Sequence, residues 1–96
     1  MQFIVIAHDF KDGLKRRLAE RAKHIEFGDK LVADKKALFG VALLDNKGNM
    51  RGSVYIMDFP SRKDIDEYLN DEPYVKGKVW EKIEVIPCIV GPSFKN

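Results

Sequence analysis

From Gln2 to His8 the chain reads Gln-Phe-Ile-Val-Ile-Ala-His, which puts Phe3, Val5 and Ala7 on one face of an extended strand and Ile4 and Ile6 on the other. Both faces are apolar, so the strand is expected to be covered on two sides. Asp9 ends it, and Asp12-Gly13 supplies a turn. A helical stretch follows from about Leu14 to Val32, with Leu14, Leu18, Ala22, Ile25 and Val32 as an apolar stripe. Ala37–Leu44 and Gly52–Phe59 read as strands joined by the turn cluster Asp45-Asn46-Lys47-Gly48-Asn49. Ser61 with Asp64 resembles a capping box for a second helix running to about Asn70, whose Ile65, Tyr68 and Leu69 share a face. Pro73 pushes Glu72 out of the helical region and breaks that helix. Trp80–Ile89 offers the fourth strand.

The order β-α-β-β-α-β predicts an α+β, ferredoxin-like fold: a four-stranded antiparallel sheet with two helices on one face. One face of the sheet is then left open. Two sheets meeting face to face in a homodimer is the expected way to cover it.

With 96 residues, 45% hydrophobic and 33% charged, the chain is read as one small soluble domain, residues 1–96. A formal net charge of +2 gives no field for nucleic acid or an anionic membrane. The apolar runs fall short of the roughly 20 residues of a spanning helix, and the N-terminus lacks signal-peptide character, so a cytoplasmic location is expected. Cys88 stands alone, and His8 and His24 lie on different elements. No disulfide, metal site or cofactor is therefore expected.

Candidate chemistry gathers on the first helix. At about 100° per residue, Arg17, Arg21, His24 and Gly28 form a row bordering the apolar stripe. One reading makes this the edge of a binding site; the other has the arginine stems covering apolar surface and His24 as a boundary residue. The topology brings Asp9, Arg17 and Glu72 toward one edge of the sheet. An unbroken helix from Asp12 would place His24 about 18 Å along the axis, beyond Asp9. A break near Glu20 or Arg21 would instead put His24 in a first turn within reach of Asp9, and this is the expected arrangement.

The opening strand ending in Asp9, the Arg17-x-x-x-Arg21-x-x-His24 spacing, Gly52-Ser53 and Glu72-Pro73-Tyr74-Val75 together resemble the YciI-like (YCII domain) family. The resemblance implies a dimeric protein related to the dimeric α/β barrels, with a His-Asp centre carried over to His24 and Asp9. Relatives often have proline where this chain has Ala22, which favours the broken helix. Two departures stand out: Glu72-Pro73-Tyr74 replaces an Asp-Pro-aromatic turn, and Phe39-Gly40-Val41 replaces Ala-Gly-Pro. The few activities associated with such proteins are proton transfers: dehydrochlorination of a hydroxylated ring, and lactone isomerisation in related barrels. The expected function is accordingly proton transfer on a cyclic or aromatic anionic small molecule, with His24 and Asp9 catalytic and Arg17, Arg21, Glu72 and Tyr74 binding substrate. The alternative is a non-catalytic ligand-binding or regulatory dimer.

Ser53 and Tyr55 are spare hydroxyls on the third strand, placed where they could line the pocket; strands use such residues routinely, and that ordinary role is the one expected. Arg51-Gly-Ser-Val-Tyr55-Ile also resembles the ribonucleoprotein motif of RNA-recognition folds, but Ser53 and Asp58 stand where stacking aromatics belong. No nucleic-acid partner is expected.

Overall fold

The computed structural model describes residues 1–94 and follows the predicted order with one addition: β1 (Gln2–Asp9), α1 (Leu14–Ala33), β2 (Ala37–Leu44), β3 (Met50–Asp58), α2 (Arg62–Asp71), α3 (Pro73–Lys76) and β4 (Trp80–Cys88). A 3-10 turn at Pro92–Phe94 follows. The sheet is antiparallel, in the order β2-β3-β1-β4 of the ferredoxin-like fold.

Register sorts the strands into two faces. Phe3, Val5 and Ala7 of β1 stand opposite Met57, Tyr55 and Ser53 of β3, and this set faces the helices. Phe3, Val5, Ala7 and Met57 join Phe59, Ile65, Tyr68, Leu69, Tyr74, Val79 and Trp80 in the core. Ile4 and Ile6 stand opposite Ile56 and Val54 on the other face, continued on β2 by Phe39 and Val41. Phe39, Val41 and, on β4, Ile86 are exposed there. No helix among the described residues is long and apolar enough to cross a membrane.

Local chemistry accounts for the element ends. Ser61 caps α2 by accepting from the Asp64 backbone N–H while its hydroxyl donates to the Asp64 carboxylate, so Asp fills the Glu position of the capping box. Asp45 Oδ1 accepts the backbone N–H groups of Lys47 and Asn49, and Gly48 takes φ 82°, closing the β2–β3 hairpin. Glu72 is extended, as the following proline requires. The short α3 went unpredicted although its signal is present: Pro73 sits where a proline best begins a helix, and Glu72 caps it by accepting from Tyr74 N–H.

Helix α1 corrects two expectations. It runs unbroken for 20 residues, with no second start near Arg21. The segment around Ala19 and Ala22 is rich in helix formers, and Gly28 costs only about 1 kcal/mol against Ala, too little to break it. Its orientation also differs. Leu18 is 55% and Val32 61% exposed, whereas Arg17 is buried and His24, Phe27 and Leu31 are partly covered. The helix thus turns Arg17 and His24 inward and leaves Arg21 exposed, because the groups that make Arg17 and His24 buriable lie on other segments that hydropathy does not weigh.

Candidate active site

Helix α1 carries Arg17 and His24 two turns apart on its inner face, separated by about 10 Å along the axis. Asp9 reaches Arg17 from the end of β1. Alternation on β3 aims Ser53 and Tyr55 at the same helix, and the α2–α3 junction adds Tyr68, Glu72 and Tyr74. Two polar clusters result, with one aromatic ring between them.

In the first cluster, Arg17 Nη1 donates to Asp9 Oδ1 at 2.9 Å and Oδ2 at 3.2 Å, and Nη2 donates to Ser53 Oγ at 2.7 Å. Both charged side chains are 3% exposed. Burial pushes the Asp9 carboxyl above its ordinary value, and the Arg17 guanidinium opposes that rise. Arg17 Nε and the Trp80 indole N–H are buried donors without a partner among the described residues.

In the second cluster, His24 Nδ1 lies 2.6 Å from Glu72 Oε1, and Tyr55 Oη lies 2.7 Å from His24 Nε2. Glu72 also accepts from the Tyr74 backbone N–H at 3.2 Å and from the Tyr68 hydroxyl at 3.1 Å. A buried carboxylate accepting on both oxygens assigns the imidazole proton to Nδ1 and leaves Nε2 as the acceptor for Tyr55. Burial raises the phenols of Tyr55 and Tyr68, and the Glu72 charge raises each further, so both stay protonated.

Tyr74 joins the clusters. Its ring stacks on His24 with centroids 3.8 Å apart and planes 6° apart, while the Arg17 guanidinium lies 4.8 Å from the same ring. The axial separation of Arg17 and His24 leaves the ring between them.

A cavity of about 250 Å³ opens between α1 and the β2–β3 edge. His24, Asp29, Tyr55, Tyr68 and Glu72 supply its polar lining; Ile25, Leu31, Leu38, Phe39 and Met57 contribute apolar walls. That volume suits a single small ring with a few polar substituents. Among the described residues no Lys or Arg lines it.

The expected Asp9–His24 dyad does not form: Asp9 is held by Arg17, and the carboxylate on His24 is that of Glu72. The cause is the unbroken α1, which carries His24 past the end of β1 to the α2–α3 junction. The expectation that Arg17 and Arg21 bind an anionic substrate is corrected as well, since Asp9 neutralises Arg17 and Arg21 is exposed outside the lining. Tyr74 touches His24 as a stacking platform rather than lining the cavity. Ser53 and Tyr55, expected in an ordinary strand role, and Tyr68, read only as part of an apolar helix face, join the clusters. A signal for the first two was available: hydroxyls two apart on a strand, in phase with an inward apolar residue, Met57.

Over 97% of this chain and 98% of the other, the structure superposes on 5-chloro-2-hydroxyhydroquinone dehydrochlorinase of Burkholderia phenoliruptrix, solved with 2,5-dihydroxybenzoquinone, with a TM-score of 0.86 at 22% identity. A hypothetical protein of Pyrococcus horikoshii is similar more remotely, with a TM-score of 0.52 at 14% identity over 96% and 94% of the two chains. Comparison with curated proteins by sequence finds no match. The profile of the YCII-related domain matches residues 1–89, and the chain therefore belongs to the YCII-related family.

Proposed function

We propose that this protein is a small-molecule enzyme in which His24, held by Glu72, removes a proton from a hydroxylated cyclic or aromatic substrate, a chemistry of the dehydrochlorinase, isomerase or lyase kind. The observation that carries the proposal is the His24–Glu72 pair at a cavity wall. The carboxylate fixes the tautomer and stabilises the imidazolium that forms on proton uptake. A site built only for binding has little use for a buried carboxylate behind its imidazole. The chlorinated hydroquinone and quinone named for the Burkholderia protein are hydroxylated rings of a size this cavity admits, which supports the same substrate class here.

The protein is further proposed to work as a homodimer formed across the open sheet face, where Ile4, Ile6, Val54 and Ile56 meet their counterparts.

The test is chloride release from 5-chloro-2-hydroxyhydroquinone by wild type and His24→Gln, alongside calorimetric binding of 2,5-dihydroxybenzoquinone. Turnover should fall about 10²–10⁴-fold in the variant while quinone affinity changes only a few-fold. Equal binding with no turnover in either protein would favour the non-catalytic ligand-binding reading.

A further inference from the structure

We infer that Tyr55 is the catalytic group that exchanges the proton with the substrate, with His24 as the base behind it and Gly40 as the positioning residue that seats the Tyr55 ring. The inference rests on the reading of His24 as the base.

The single lone pair of His24 Nε2 is already engaged by the Tyr55 hydroxyl at 2.7 Å. A substrate reaching the imidazole directly has to displace that hydroxyl. A substrate meeting Tyr55 does not, because Tyr55 itself lines the cavity. The proton then moves in one concerted relay. The substrate X–H bond breaks and its proton passes to the phenol oxygen; the Tyr55 O–H bond breaks and its proton passes to Nε2. The electron pair stays on the substrate, Tyr55 ends as it began, and the imidazolium faces the Glu72 carboxylate. Burial raises the phenol pKa, which favours the concerted exchange over a free phenolate.

The ring is held for this task. A Cβ built on Gly40 would come within 2.8 and 2.9 Å of Tyr55 Cδ1 and Cε1, so the Cδ1–Cε1 edge of the ring takes up the space a side chain at this position of β2 would need. Any side chain at residue 40 moves the ring and, with it, the hydroxyl at the far end.

Tyr55→Phe, Gly40→Ala and the double variant test this against wild type, with chloride release from 5-chloro-2-hydroxyhydroquinone, calorimetric binding of 2,5-dihydroxybenzoquinone, and the imidazole ¹⁵N resonances of His24. Tyr55→Phe should lower turnover about 100-fold or more with quinone affinity within about threefold. Gly40→Ala should lower turnover in the wild-type background and add little to Tyr55→Phe, as expected of a residue acting through Tyr55. The Nε2 resonance should move in Tyr55→Phe while Nδ1 stays close to its wild-type position. Wild-type turnover in Tyr55→Phe, or an affinity loss as large as the turnover loss, overturns the relay while leaving His24 as the base. If wild type itself releases no chloride, the enzymatic reading fails on this substrate and the resonances decide: an Nε2 signal unmoved in Tyr55→Phe overturns the inference, and a shifted one supports the Tyr55–His24 hydrogen bond on which the relay is built.

Discussion

Replacing Arg17 by Met keeps most of the apolar stem and removes the charge that neutralises buried Asp9. Asp9 accepts two hydrogen bonds from Nη1, and both side chains are 3% exposed, so little water is available to take over. Breaking such a pair from one side costs about 3–5 kcal/mol, a large share of the roughly 5–15 kcal/mol that holds a domain together. Ser53 and the Tyr74 ring lose a partner as well. With a urea slope of about 2 kcal/mol per M, the midpoint should fall by roughly 2 M. Asp9→Asn combined with Arg17→Met removes the stranded charge and should recover part of the loss, giving a coupling of about 1–3 kcal/mol in the double-mutant cycle. The pH dependence has a definite sign. The Asp9 carboxyl already sits above its ordinary value through burial, and loss of Arg17 raises it further. A carboxyl raised in the folded state favours folding below its unfolded pKa, and that contribution is lost as pH rises through the folded value. The deficit of Arg17→Met relative to wild type should therefore shrink as pH falls from 7 toward 5. A midpoint drop below about 0.5 M, strictly additive mutations, or a deficit that does not vary with pH would refute the assignment of Arg17 as the structural partner of Asp9.

Glu72→Gln keeps the shape but removes the carboxylate behind His24, so turnover of the chlorinated hydroquinone should fall at least tenfold, with a stability loss of about 1–3 kcal/mol from the mismatch with Tyr68. Full activity in that variant would exclude a role for the Glu72 charge. Ile6→Glu places a charge in the middle of the open sheet face and should convert a dimer to monomers in sedimentation equilibrium at micromolar concentration. A wild-type protein sedimenting at 11.0 kDa would remove the dimer proposal.

The fold was legible because its signals are local: alternation in β1, the Asp45–Asn49 turn and the Ser61 cap each need only a few neighbouring residues. For the candidate site, the side chains that gather were more legible than how they pair, with Arg21 left exposed outside the clusters. His24, Arg17, Asp9, Glu72 and Tyr74 all sit in the two clusters, yet the carboxylates are exchanged relative to expectation. Which acid meets which base depends on whether α1 is continuous, and Ala22, standing where relatives often carry proline, removes the break that the family resemblance suggested. The stripe of Leu18, Ile25 and Val32 misled for a related reason. Hydropathy ranks a leucine above an arginine for burial, but Arg17 has Asp9, Ser53 and Tyr74 waiting for it, contacts separated by up to 57 positions in the chain.

Glu72 ends α2, begins α3 and holds the imidazole, so assembly of the His24–Glu72 pair and docking of one helical turn are a single conformational event. Fraying of α3 withdraws the Tyr74 amide from Glu72 Oε1 and the Tyr74 ring from His24 together. The exchange rate of that one backbone amide with solvent deuterium thus becomes a label-free clock for how often the centre comes apart. A ligand that closes the cavity should slow it in proportion to its occupancy.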